Sequence, residues 1–185
     1  FFDSNNGELI KLDDLYNMRE PDLEVLRETY IEGLKSSLIG NCEEKVMVDK
    51  MPLNLAFLPY MAVLFPSAKI IISVRHPLDC VLSCWMQNFK LNPAMAQMVD
   101  LNRVVDFYCL AMENFKLCQT RYSLNTYMIR YEDLVIDFEK EVSNILGFLD
   151  LKWEEGLRSY QKTALARGKI HTPSYSQVIM PIYKT

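Results

Sequence analysis

Glycine is scarce in this sequence, six among 185 residues, and the six are scattered. They assemble neither G-x-x-x-x-G-K-[ST] nor G-x-G-x-x-G, so these residues hold neither a nucleoside-triphosphate loop nor a dinucleotide fingerprint. H-E-x-x-H and G-x-S-x-G are missing too, which removes the zinc-peptidase and nucleophile-elbow readings. The five cysteines, at 42, 80, 84, 109 and 118, form no C-x-x-C. Cys80 and Cys84 share one helix face, but no histidine or second thiol pair completes a metal set. An odd number of thiols reads as buried and free, in a reducing compartment. There is no excess of positive charge. The net charge of −4 argues against a general nucleic-acid binder. Nor is there a membrane span, because the most apolar stretch, 55–74, is broken by Pro59, Pro66 and Lys69.

What remains is ordinary for a globular chain, with 50% hydrophobic and 24% charged residues. That is enough for one domain with a sizeable core. The charge is uneven. Residues 1–45 hold eleven acids and five bases, whereas 156–185 hold five bases and no acid. A basic end in an acidic chain suits either a local anion site or a solvated face.

Residues 45–90 organise the sequence. Two β-branched runs, Val46-Met47-Val48 and Ile70-Ile71-Ile72-Ser73-Val74, flank a helix-length segment at 53–65. Strand, crossover helix, strand predicts neighbouring parallel strands, and runs this apolar suit strands covered on both faces. Lys50 stands just past the first run and Arg75 just past the second. Ligands of open α/β sheets bind beyond the carboxyl ends of the strands, so two cations there point to an anion, most simply phosphate. Pro77 opens a helix over 77–89, with Asp79 near its start and Ser83 about two turns in. Arg75 and Ser83 thus read either as a phosphate clamp or as a surface strand-end residue and a neutral helix residue.

Further along, Leu23, Leu26, Tyr30 and Leu34 make an inward stripe on a helix over 22–37, with Glu24 and Glu28 outside. Residues 1–20 read as loop and turn, and Pro59 predicts a kink or a loose first half in helix 53–65. A stripe of Met98, Leu101, Val105, Tyr108, Met112, Phe115 and Cys118 or Gln119 predicts a long helix over 94–121. Thr126-Tyr127-Met128-Ile129 reads as a third strand, again ending in a cation, Arg130. A helix over 138–149 follows, with Glu132 and Asp133 as acids preceding it.

Lys50-Met51-Pro52-Leu53-Asn54, then Phe65-Pro66-Ser67-Ala68-Lys69, then Arg75-His76-Pro77-Leu78-Asp79 and Ser83 together resemble the sulfotransferases that use 3′-phosphoadenylyl sulfate (PAPS). The likeness is to the tyrosylprotein type and to bacterial relatives that carry tetratricopeptide repeats. Tyr131-Glu132-Asp133-Leu134 is similar to the family's Y-E-D-L, and Leu151-Lys152-Trp153 to its G-L-x-W. Thr172, Ser174, Gln177, Val178, Pro181, Ile182 and Tyr183 keep step with its T-x-S-x-x-Q-V-x-x-P-I-Y. His76 stands where the family more often has Asp.

The resemblance implies an α/β, three-layer, P-loop-NTPase-like fold with a central parallel sheet flanked by helices. It implies an enzyme that moves a sulfuryl group from PAPS to an acceptor hydroxyl without needing a metal. Arg75 and Ser83 would bind the 3′-phosphate, Tyr131 and Ser174 the nucleotide, and Lys50 the sulfuryl group in transit. Glu8, in Gly7-Glu8-Leu9, would be the general base, or else a surface acid in a turn. Glu132 and Asp133 are read as structural, and Trp153 as packing.

The acceptor stays open among peptide tyrosine, sugar, lipid and small molecule. Compartment follows the type, cytoplasm in general and Golgi lumen for a tyrosylprotein enzyme. The family's Gly/Ser/Thr-rich loop for the 5′-phosphosulfate has no counterpart before Gly7, and the family's basic residue and Trp after the Q-V-x-x-P run have none either. The expectation is therefore a single domain over 1–185 that lacks both ends, with room for tetratricopeptide repeats upstream. Two other readings stand beside this one: another phosphate-loop kinase, and a non-catalytic nucleotide-binding scaffold.

Overall fold

The computed structural model describes residues 10–36, 46–51, 53–87, 89 and 95–166. They form α1 (Leu12–Tyr16), α2 (Glu20–Ser36), α3 (Leu58–Leu64), β1 (Lys69–Val74), α4 (Pro77–Met86), α5 (Leu101–Arg121), β2 (Asn125–Arg130), α6 (Tyr131–Ile136), α7 (Phe138–Leu149) and α8 (Tyr160–Ala166). The described residues are therefore α/β and mostly helical, with β1 and β2 paired in a small parallel sheet. The chain divides into two compact units, one of residues Phe1–Ala68 and Ala111–Asn125, the other of Lys69–Leu110 and Thr126–Thr185.

The first unit gathers on Leu15, Leu23 and Leu64, with Leu26, Tyr60 and Val63 packed round them. The stripe foreseen on α2 does face inward, and Glu24 and Glu28 are exposed. Arg27 ties α2 to α3, its Nε donating to the Leu64 carbonyl at 2.5 Å, where a helix C-terminus favours a cation. Tyr60 donates to the Ile10 carbonyl at 2.8 Å, and Asn114 to that of Leu55 at 2.8 Å. Two readings change here. Residues 12–16 are helix rather than loop. Val46-Met47-Val48 is exposed, forms no regular element and pairs with no strand among the described residues. The first half of the segment after Lys50 is loose as Pro59 suggested: 54–57 is a 3-10 turn, and Pro59 falls in the first turn of α3, where its missing N–H costs nothing.

The second unit packs on Val81, Met98 and Val104, with Cys84, Phe107 and Tyr108 against them. In β1, burial alternates: Ile72 is buried, whereas Lys69, Ile71 and Ser73 are exposed. This corrects the expectation of strands covered on both faces, for among the described residues only one face is buried. On α5 the inward residue is Val104, and Val105 is exposed. Both are β-branched neighbours, and the true helix phase, set by Phe115 and Cys118 further along, selects the first. Lys69 pairs with Asp150, and the Tyr127 and Phe148 rings lie 5.5 Å apart. Trp153 carries the Arg158 guanidinium 5.7 Å over its ring.

Glu132 and Asp133 do not merely precede a helix. They sit in the first turn of α6 itself, which stops where Asp137 caps α7. The Asp137 carboxylate accepts from the Lys140 N–H at 3.1 Å. Replacing Asp137 by Ala is expected to cost about 1 kcal/mol, with Asn near wild type. Urea unfolding checks it as a lower midpoint with an unchanged slope. A midpoint that does not move would show that the cap contributes nothing. At its other end α7 closes on Asp150, whose φ of 58° is the left-handed conformation that a short polar residue tolerates.

Candidate functional site

β1 and β2 run parallel, so their carboxyl ends share one edge of the sheet. Each delivers a cation there: Arg75 one residue past β1, and Arg130 as the last residue of β2. The Arg75 guanidinium is half-buried and engaged from two sides. Its Nε lies 3.6 Å from Asp79 in the first turn of α4, and it stands 5.4 Å over the Tyr131 ring at the start of α6. Both contacts hold the planar fork in place, by charge and by the negative face of the ring. Ser83 is exposed on α4. It stands four residues beyond Asp79, on the same helix stripe, which is the stripe that Asp79 turns toward Arg75.

The segment between β1 and α4 is held by Glu132, for which the sequence suggests only a structural part. The backbone N–H of His76 donates to Glu132 Oε1 at 2.7 Å. This contact and the Glu132 backbone N–H keep the Glu132 carboxyl below its usual range, its own N–H contributing more. Nothing in the sequence pairs positions 76 and 132. The only signal was that both stand just past the end of an apolar run.

Lys50 belongs to the other unit. It is exposed, in a turn whose flanks are fixed. Asp49 accepts from the Tyr30 hydroxyl at 2.6 Å and from Asn54 Nδ2 at 3.1 Å. The Asn54 N–H donates to the Met51 carbonyl at 3.0 Å. The K-x-P-x-N pattern thus has a local meaning: Asn folds the turn back on the residue before Lys50. Burial, and then the Asp49 carboxylate, push the Tyr30 hydroxyl well above the usual phenol range, so it stays a donor. Glu8 and Ser174 lie outside the described residues.

Two thiols complete the surroundings. Cys84 donates a hydrogen bond to Cys80, which lowers the Cys80 pKa to about 7, and the Arg75 charge lowers it further against the effect of burial. The same bond, with burial, pushes Cys84 up. Thiolate is the reactive form. Cys80 is therefore expected to be alkylated at pH 7 several-fold faster than an ordinary thiol, with a rate that levels off above pH ~8. Iodoacetamide labelling with peptide mapping checks this. Equal labelling of Cys80 and the exposed Cys109 would contradict it.

A guanidinium and an aromatic ring stand together at the end of β1, with a hydroxyl on the helix that follows, and a guanidinium there suits an anion. The sequence pattern described as the sulfotransferase family matches residues 13–155. The chain is 28% identical over 147 residues to an uncharacterized protein of Aquifex aeolicus (strain VF5), covering 77% of this chain and 18% of that one. It is 28% identical over 100 residues to cytosolic sulfotransferase 15 of Arabidopsis thaliana, covering 49% of this chain and 28% of that one. The chain thus spans less than a third of the length of either relative.

Proposed function

The chain belongs to the sulfotransferase family, and from that premise we propose that it takes part in moving a sulfuryl group from PAPS to an acceptor hydroxyl, on a fold of the three-layer P-loop-NTPase type. The observation that carries the reading is the Arg75 guanidinium at the end of β1, held by Asp79 and Tyr131, with Ser83 on the stripe of α4 that Asp79 occupies. Arg75 and Ser83 take the 3′-phosphate, and Tyr131 lines the nucleotide side. PAPS supplies the sulfuryl group. Transfer makes a bond from acceptor oxygen to sulfur and breaks the bond from sulfur to the 5′-phosphate oxygen. The proton of the acceptor goes to a carboxylate, for which Glu8 is the candidate. Lys50 offsets charge on the group in transit and on the leaving phosphate. Ser174 is the further nucleotide contact in this reading, and no step requires a metal.

Calorimetry with the full-length protein tests the nucleotide half. Adenosine 3′,5′-bisphosphate is expected to bind at least tenfold tighter than adenosine 5′-phosphate, because the second lacks the group that Arg75 and Ser83 hold. Equal affinities would overturn the assignment.

A further inference from the structure

We propose that Glu132 is a positioning residue for the 3′-phosphate site, acting through the His76 backbone on Arg75. The inference rests on the reading of Arg75 given above. The link from β1 to α4 is only Arg75 and His76 long. Pro77, which follows, has no N–H to offer, and the His76 side chain makes no cap for α4. The His76 N–H is thus a handle by which this short link can be held from outside, and Glu132 Oε1 takes it at 2.7 Å.

The contact is one half of a double grip. Tyr131 and Glu132 are consecutive at the start of α6, and Arg75 and His76 are consecutive at the end of β1. The ring of the first pair faces the guanidinium of the second at 5.4 Å, and the carboxylate faces the amide. Two adjacent residues clamp two adjacent residues, one contact for the side chain and one for the backbone beneath it. With both in place, the Arg75 fork has a fixed origin and a fixed plane, which bidentate recognition of a phosphate needs. Without the backbone contact the fork keeps its ring but loses its origin.

The charge of Glu132 is not what the site needs. A carboxylate close to a bound phosphate repels it, and Arg130 Nε, 3.9 Å from Glu132 Oε2, faces that charge from β2. What the site needs is an acceptor at Oε1, and Gln supplies one. Position and charge can therefore be separated by two substitutions.

The test uses the full-length protein with adenosine 3′,5′-bisphosphate and adenosine 5′-phosphate as probes, by calorimetry. Glu132→Ala is expected to weaken the bisphosphate about tenfold, the size of one lost charged hydrogen bond, and to leave the monophosphate unchanged. Glu132→Gln is expected to stay within about twofold of wild type for both. A general loss of structure would weaken both ligands together, and that result overturns the proposal. So does a Gln variant as weak as the Ala variant, which would make charge the cause. If Arg75→Ala weakens the bisphosphate and Glu132→Ala does not, this proposal alone falls. If Arg75→Ala has no effect, the nucleotide reading falls and this one with it.

Discussion

Replacing Lys50 by alanine in the full-length protein is expected to lower turnover roughly 10²–10³-fold, the usual loss for one group that stabilises charge developing in a transition state. Nucleotide affinity should change far less. The reason lies in when the charge is needed. In the ground state the sulfuryl group shares its charge with the 5′-phosphate. As the bond to sulfur breaks, charge moves to the leaving oxygen, and only then does a nearby ammonium contribute fully. The turn supports this division of labour, for Asp49 and Asn54 hold its flanks while the Lys50 side chain is exposed and takes no part in that network. The variant should therefore fold normally. Turnover near wild type, measured as sulfate transfer at saturating nucleotide, would remove Lys50 from the chemistry.

Arg75→Ala is expected to act on the opposite quantity. It removes a charged hydrogen-bonded contact of about 1.5–3 kcal/mol, which is roughly 10- to 150-fold in the affinity for adenosine 3′,5′-bisphosphate. Two further losses follow. Asp79, now without its partner, would face the phosphate as a like charge, and the Tyr131 ring would lose its cation. Arg75→Lys should recover only part of the affinity, since an ammonium cannot present a planar fork. Calorimetry on the three proteins decides it, and equal affinities would place the 3′-phosphate elsewhere.

How much of this was legible in the sequence varies with the physics of each element. α2 could be read because its apolar positions repeat with the helical period, and β1 and β2 because short β-branched or aromatic runs end at a cation. The end of β1 could be read because Pro77 fixes where α4 begins. Val46-Met47-Val48 could not be read, because a strand needs a paired neighbour as well as β-branched residues. Leu12–Tyr16 is too short for periodicity to reveal, and its one deeply buried residue, Leu15, is recognisable only from the core it enters.

The candidate site divides in the same way. Arg75 and Ser83 were suggested by residue type and spacing and Tyr131 by the resemblance to the family, and all three belong to the second unit. Glu132 was seen but given a lesser part. Its first-turn acidity had a sufficient local explanation, and its partner is a backbone amide 56 positions away, which leaves no trace in residue type. The Tyr30–Asp49 contact escaped for the same reason, since nothing about a tyrosine on an inward helix stripe tells whether its hydroxyl finds an acceptor.

The most direct test of the central claim is the identity of the group transferred. The full-length protein should be incubated with sulfur-labelled PAPS and, separately, with ATP labelled in its terminal phosphate, each with a mixture of phenols, peptides and sugars. Label moving from PAPS to a hydroxyl, with adenosine 3′,5′-bisphosphate released in equal amount and no transfer from ATP, is the expected result. Phosphate transfer from ATP, with none of sulfate from PAPS, would contradict it.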